Sequence, residues 1–465
     1  MHSLKDKALS AMTGQEMSRL YQARKLSPVE VVRDVLDRME EAEPQIHSML
    51  AIDPEGSLAA ARSAERYWMG WQAGDPVKPL CGVPTTVKDT IEIAGMPTTY
   101  GSLAFRDNMA PDSHAGAMLR ASGAIVVGKA NTSEFALSTF CINRLGEATR
   151  NPRDLRRTAG GSSGGSSASV AAGLVPFSLG TDSAGSIRIP AAFCGVFGIK
   201  PTFGTIPFRQ KWRASPTRSH IGVISGTVRD AMASMAALTG NDAFTRIPED
   251  EGALIAPVRA ARFAFAAEDA GLGPDHGQAV ARTLGLLGEH GVDVAQAAAL
   301  PALDVPNQLD DGQPAFSGDH YSAAETLCPN FWELHGDSLT DYAYPLYNAG
   351  RSAKAWQYRK VLDLGERYRE RMIEWFEPID FLITPCCSEA PLQPDTIAES
   401  GLGPRYPAVT LWNISGNPAV AIPLGCGQDG APVSVQIVGK HGDDARLLQI
   451  AAFFETIAPW GRHNA

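Results

Sequence analysis

No run of about 18 or more apolar residues occurs in the 465-residue sequence, so no membrane-spanning helix is expected. Cysteine is sparse and scattered. The seven residues are Cys81, Cys141, Cys194, Cys328, Cys386, Cys387 and Cys426. Their odd number and lack of a C-x-x-C pair argue against a disulfide framework or a spaced zinc knuckle, and no metal site is expected. Most read as buried thiols in a reducing compartment. Charged residues make up only 20%, and Asp plus Glu (51) outnumber Lys plus Arg (41), for a formal net charge of −10. A surface for nucleic acid would need clustered cations, so no nucleic-acid partner is expected. There is no charge run and no internal repeat. The opening residues MHSLKDKALSAM lack the apolar core of a signal peptide, which makes the cytoplasm the expected location.

Apolar residues are plentiful at 44%, with 45 glycines and 32 prolines. This is enough for a large core with many loops and close backbone approaches. Ser27-Pro28-Val29-Glu30 forms a capping box with Pro at the first helical position. It predicts a helix to about Glu43, with an apolar stripe of Val31, Val32, Val35 and Leu36. After Leu80, short apolar runs stand between Gly and Pro punctuation, at Val83–Val87, Ile125–Val127, Leu174–Leu179 and Val196–Ile199. These read as buried strands, with helices at Ser113–Ser122 and Ser167–Ala172 between them. Strands return at Phe381–Ile383, Ala419–Ile422 and Val433–Val438, followed by a closing helix at Leu447–Phe454. The expected fold class is α/β, a large mixed sheet covered by helices on both faces. One domain over 1–465 is expected, with a helical region at about 1–78 and a core at about 79–230. A variable region at about 205–380 and C-terminal strands and a helix at about 381–465 complete it.

The most unusual segment is Gly160-Gly-Ser-Ser-Gly-Gly-Ser-Ser-Ala-Ser169, four glycines and five serines in ten residues. A flexible linker is one reading, but the run leads straight into the apolar Val170-Ala-Ala-Gly-Leu-Val-Pro. A phosphate cradle is a second, and it lacks the closing Gly-Lys-Ser/Thr of a P-loop. A third takes Gly160-Gly-Ser-Ser-Gly164 as the G-x-S-x-G elbow of an α/β-hydrolase, with His441 as a candidate base. That elbow follows a strand, and Asp154–Ala159 makes a poor one. The fourth reading adds two distant segments. In Gly180-Thr-Asp-Ser-Ala-Gly-Ser-Ile-Arg-Ile-Pro190, small residues allow several backbone N–H groups to converge beside the Ser186 hydroxyl, as an oxyanion hole requires. In Gly82-Val-Pro-Thr-Thr-Val-Lys-Asp89, Lys88 ends an apolar strand, and burial there would lower its pKa toward that of a general base.

Taken together, these segments resemble the amidase signature family. The resemblance runs through Pro79–Asp89, Gly123–Asn131, Asn151–Asp154, Gly160–Gly173, Gly180–Pro190 and Phe193–Thr202. It returns at Asn413–Ala419 and Val433–Gly439 and is weak over roughly 205–380. It implies a Ser–cis-Ser–Lys triad: Lys88 as base, Ser162 as bridge with a cis peptide bond before it, and Ser186 as nucleophile. It also implies an oxyanion hole from the amides of Ser183, Ala184 and Gly185 with Ser186 adjoining, and Asp182 and Arg188 as a pair fixing the loop. Where family members often carry two glycines before the nucleophile, this sequence has Ala184-Gly185. Alanine resists positive φ, so Ala184 is expected in an ordinary conformation.

Ser163 is a candidate for substrate contact or for capping the following helix. Lys200 reads as a structural charge at a strand end and His441 as a surface residue. Phe208, Trp212, Tyr321 and Trp332 are candidates to line a pocket, with core packing as the competing reading. The implied activity is hydrolysis of a small carboxamide, anilide, ester or carbamate through a Ser186 acyl-enzyme, with no cofactor. Two other expectations stand beside it: the glutaminase subunit of a tRNA-dependent amidotransferase, and a catalytically dead scaffold.

Overall fold

The computed structural model describes residues 9, 12–246, 251–266, 273–301, 313–393 and 406–460. Its strands are β1 (Met49–Ile52), β2 (Pro84–Lys88), β3 (Ile125–Ala130), β4 (Arg150–Asn151), β5 (Asp154–Thr158), β6 (Phe177–Asp182) and β7 (Phe197–Lys200). They continue with β8 (His220–Ser225), β9 (Phe263–Phe265), β10 (Val294–Gln296), β11 (Phe381–Pro385), β12 (Ala419–Cys426) and β13 (Pro432–Gly439). Eleven of them form one sheet in the order β1-β3-β2-β6-β8-β7-β12-β13-β11-β9-β10. Pairing is parallel between β2 and both its neighbours and among β9, β10 and β11, and antiparallel elsewhere. A mixed sheet with helices on both faces is therefore the architecture, and β2, β6, β7, β8 and β13 are buried along their whole length, as doubly covered strands must be.

At the N-terminal end, the helix Pro28–Ile46 starts where the capping box places it: Ser27 N–H donates to Glu30 Oε2 at 2.8 Å. It passes through Pro44 and ends at Ile46, beyond the expected stop, with His47 at φ 50°. In the last turn the missing proline N–H costs only one ladder bond. The buried stripe is Val31, Val32, Val35 and Met39, whereas Leu36 is only partly covered. The region is also not purely helical, because β1 runs between two of its helices and forms a sheet edge.

Two further differences concern segments with weak apolar pattern. Asp154–Thr158 is a strand after all, but it pairs only with β4 in a separate hairpin of high polarity. The middle of the chain is divided. Its strands β8, β9 and β10 extend the sheet, while the helices Gln313–Leu327, Ala343–Arg351 and Ala355–Trp375 pack beside it. The helices Gln313–Leu327 and Ala343–Arg351, with the short helix Phe331–His335, share a cluster containing Tyr100, Phe105, Phe135, Trp212, Phe331 and Tyr347 with the segments that follow β2, β3 and β7. Phe135 lies 5.1 Å from Tyr347 and 5.8 Å from Phe331, ring centre to ring centre, which fixes this helical cover over the β2–β3 end of the sheet.

Candidate active site

The glycine–serine segment is buried structure, not linker. Gly164–Ala171 forms a helix in which all eight residues are buried. Its glycines permit backbone contact: a Cβ on Gly165 would lie 2.4 Å from both Asn131 N and Ser48 O. This seats the start of the helix against the chain after β3, with Gly165 N–H donating to Asn131 O at 3.2 Å. The peptide bond between Gly161 and Ser162 is cis.

Lys88, the last residue of β2, is fully buried. Its Nζ donates to Ser162 Oγ at 2.7 Å, to Thr181 Oγ1 at 2.9 Å and to Thr181 O at 3.3 Å. It forms no ion pair among the described residues. Burial pulls its pKa down from the usual lysine range to about 7, against the opposing pull of Cys141 and Asp182. An amine in this state holds an available lone pair at neutral pH, which an exposed lysine does not.

Ser186 stands just beyond β6, half-buried, and its carbonyl accepts from Ser163 N–H at 3.2 Å. The Lys88, Ser162 and Ser186 segments are thus adjacent. The two serine segments are joined by this bond from Ser163, and no bond joins the hydroxyls of Ser162 and Ser186 among the described residues. Hydrogen bonds of this kind are often long before substrate is present.

The loop before Ser186 is anchored by a buried ion pair. Arg188 and Asp182 are both fully buried. Arg188 Nε and Nη2 donate to Asp182 at 3.0 Å each. Its remaining N–H groups reach Val409 O (2.8 Å), Gln436 Oε1 (2.6 Å) and Asn413 Oδ1 (2.6 Å). All five guanidinium donors are used, the condition under which a buried arginine is tolerated. Burial disfavours the Asp182 carboxylate, but the charge and hydrogen bonds of Arg188 outweigh it and hold the carboxyl below its usual range.

Asp182 also accepts from Gly185 N–H at 2.7 Å and Ile187 N–H at 3.1 Å. This corrects one expectation. The Gly185 amide is committed to Asp182 and is not a free oxyanion donor. The amides of Ser183, Ala184 and Ser186 have no hydrogen-bond partner among the described residues. Gly185 carries φ +103°, while Ala184 is absent from the residues of positive φ, so the glycine provides the turn that alanine would resist.

Other expected residues fall in separate places. Ser163 does not cap its helix; its hydroxyl donates to Thr181 O at 3.2 Å. Lys200 is fully buried at the end of β7, donating to Asn417 O at 2.6 Å and Pro201 O at 2.9 Å, and burial sets its pKa well below the usual value. His441 is exposed. Trp212 is buried within the aromatic cluster, and Phe208 packs partly buried against the main core. Trp332 stacks with Arg351 (4.7 Å) and Tyr344 (5.0 Å) on the helical cover. Tyr321 lines a cavity of about 540 Å³. Among the described residues no group of three or more His, Cys, Asp or Glu side chains is placed to hold a metal ion.

Sequence reasoning missed Thr181, Asn413, Gln436, His220 and Cys141. Asn413 Nδ2 donates to Asp182 Oδ1 at 2.8 Å, and His220 Nδ1 lies 3.2 Å from Asp182 O. Cys141 Sγ donates to Ser162 O at 3.2 Å and accepts from Gly164 N–H at 3.1 Å, bracing the turn from beneath. Gln436 did leave a signal, as a long polar side chain in the largely apolar run Val433–Val438, whose one other polar residue is the small Ser434.

Comparisons with known proteins agree with this architecture. Residues 30–448 match the family described as Amidase. The chain is 30% identical over 463 residues to a glutamyl-tRNA(Gln) amidotransferase subunit of Roseiflexus castenholzii, covering 94% of this chain and 93% of that protein. It is 31% identical over 452 residues to the putative amidase AmiB2 of Mycobacterium bovis, covering 92% of each. Among solved structures, a bacterial aryl acylamidase of the amidase signature enzymes family superposes with a TM-score of 0.85 at 26% identity, covering 98% of both chains. A 6-aminohexanoate cyclic dimer hydrolase complexed with substrate gives 0.81 at 26% identity, covering 97% of this chain and 98% of that one. The match to the family over most of its length, on a fold shared with these enzymes, makes this chain a member of the amidase signature family.

Proposed function

We propose that the protein is an amidohydrolase that cleaves the C–N bond of a small carboxamide, anilide or related acyl compound through an acyl-enzyme on Ser186. The observation that carries this reading is the buried Lys88 amine, 2.7 Å from Ser162 Oγ and with its pKa lowered to about 7. Neutral Lys88 accepts a proton from Ser162, which takes that of Ser186 once substrate brings the two hydroxyls into bonding distance. Ser186 Oγ then forms a bond to the carbonyl carbon. The N–H groups of Ser183, Ala184 and Ser186 face the developing oxyanion, each such donor being worth about 3 kcal/mol in comparable sites. Collapse breaks the C–N bond as Ser162 returns a proton to the leaving nitrogen. Water repeats the cycle on the ester and frees the acid. The same site accepts esters and carbamates, whose carbonyls are attacked alike. The aryl acylamidase and cyclic dimer hydrolase on the same fold support a stand-alone hydrolase.

A glutaminase subunit of a tRNA-dependent amidotransferase is the second reading, favoured by relatives of that description at 30% identity over nearly the whole chain. Purified protein assayed on anilides, aryl esters and glutamine separates the two. Turnover of anilides by the chain alone, lost in Ser186→Ala and Lys88→Ala, supports the first. Turnover of glutamine alone, and only with a partner protein, replaces it with the second.

A further inference from the structure

The chain carries a formal net charge of −10, yet one pair of cavities concentrates cations. The larger chamber, about 540 Å³, is bounded by Lys211, Arg213, Lys354, Asp319, Tyr321 and Tyr358. That volume lies in the range of small-molecule sites. A smaller chamber of about 90 Å³, with Arg218, Phe316, Glu366 and Arg369 in its walls, shares Asp319 and Tyr358 with the first. Together the walls hold five cations against the two carboxylates of Asp319 and Glu366.

Two wall residues of the smaller chamber adjoin in sequence the residues that brace the nucleophile loop. Arg218 precedes Ser219, whose Oγ lies 2.8 Å from Ser183 Oγ. Ile414, in the same wall, follows Asn413, whose amide donates to Asp182. Each of these two wall residues is thus the chain neighbour of a residue that holds the nucleophile loop.

Arg213 is held in place without using its donors. Its guanidinium lies over the rings of Phe203 and Phe208, 5.6 Å and 5.5 Å from their centres, a contact that fixes the side chain through its face. Its Nε is buried with no hydrogen-bond partner. The nearby acid, Asp319, accepts from Tyr358 OH at 2.7 Å and lies in the walls of both chambers, where its charge is shared between Arg213 and Arg218. An arginine positioned by stacking, in a wall that also carries Lys211 and Lys354, matches a planar carboxylate that accepts two N–H bonds.

We propose that this cavity is the acyl pocket of the Ser186 site and that it selects substrates whose acyl group ends in a second, free carboxylate, namely half-amides of dicarboxylic acids, with Arg213 as the specificity-determining residue. The proposal rests on the reading of Ser186 as nucleophile, and its test has one arm free of chemistry. Titration calorimetry compares glutarate with butyrate on the wild type, Arg213→Gln and Arg213→Lys. Glutarate is expected to bind at least tenfold more tightly than butyrate to the wild type. Arg213→Gln removes that preference and Arg213→Lys restores part of it. In the kinetic arm, the ratio of kcat/KM for glutaryl over butyryl p-nitroanilide exceeds ten, mainly through KM, and collapses toward one in Arg213→Gln. Equal binding of the two acids, or a ratio untouched by Arg213→Gln, overturns the pocket while leaving Ser186 in place. Selective glutarate binding with neither anilide hydrolysed overturns the Ser186 reading and leaves the pocket.

Discussion

Thr181 Oγ1 lies 2.9 Å from Lys88 Nζ, the same amine that reaches Ser162 at 2.7 Å. Two hydroxyls and a main-chain oxygen thus fix the direction of one buried nitrogen. Thr181→Val keeps the shape and removes the hydroxyl. It is expected to lower kcat about tenfold with little change in KM, because it misdirects the base and does not touch substrate; Thr181→Ser restores most of the rate. Equal losses in Thr181→Val and Thr181→Ser, measured by steady-state kinetics, would show that the methyl and not the hydroxyl matters.

The low pKa of Lys88 sets the pH response. Burial disfavours the ammonium, so the neutral base accumulates as pH rises through about 7. The expected kcat/KM profile climbs with a slope near one below that point and levels off above it. Lys88→Ala is expected to lose about a thousandfold in rate together with this limb. A profile falling through the same region would sink the assignment of Lys88 as base.

The same shift has a consequence for stability. An unfolded lysine titrates near 10.5 and Lys88 in the fold near 7, so the unfolded state binds more protons between these values. Stability therefore rises with pH across that window. The penalty is largest below pH 7 and disappears as pH passes 10.5. Replacing Lys88 with Met removes it, so the Met variant should gain stability relative to the wild type at pH 7 and lose that advantage steadily toward pH 10. Thermal melts of both proteins across this range provide the measurement.

Arg188→Met leaves Asp182 buried without its cation. The expected loss is about 3–5 kcal/mol, the usual cost of an orphaned buried charge. Denaturant melts should show it, and Asp182→Asn in the same background should recover part of it. If Arg188→Met alone melts like the wild type, the ion pair does not anchor the loop.

Gly165→Ala tests the close approach beneath the helix Gly164–Ala171. The added Cβ would meet two backbone atoms at 2.4 Å, which no rotamer change relieves. A loss of several kcal/mol is expected, seen as a lower midpoint or as insoluble protein. Gly204, whose Cβ would meet nothing within 4 Å, serves as the contrasting site, although its own positive φ leaves a small strain there.

Much of this arrangement was legible in the residues. Strands β2, β3, β6, β7, β11, β12 and β13 announce themselves because doubly covered strands read as continuous apolar runs. The candidate serines and lysine are visible because glycine-rich segments and an apolar strand ending in Lys88 are unusual. What stayed hidden was what depends on contact between distant segments. Nothing local says that Gln436 and Asn413 complete the shell of Arg188, or that Asp182 takes the Gly185 amide. β1, β9 and β10 were missed for another reason: they are only three or four residues long, and β1 and β10 lie at the sheet edges, where exposure on one side dilutes the apolar pattern. Trp212 and Trp332 show the limit for aromatics, since a tryptophan looks the same in sequence whether it fills a core or borders a cavity.

The bonds of Arg188 also bear on when a newly made chain becomes competent. Three of its five donors end on Val409, Asn413 and Gln436. A polypeptide still emerging from the ribosome, synthesised as far as residue 400, already contains Lys88, Ser162 and Ser186 but lacks every one of those three acceptors. Ser186 is therefore synthesised more than two hundred residues before the last of the acceptors that tie down its loop.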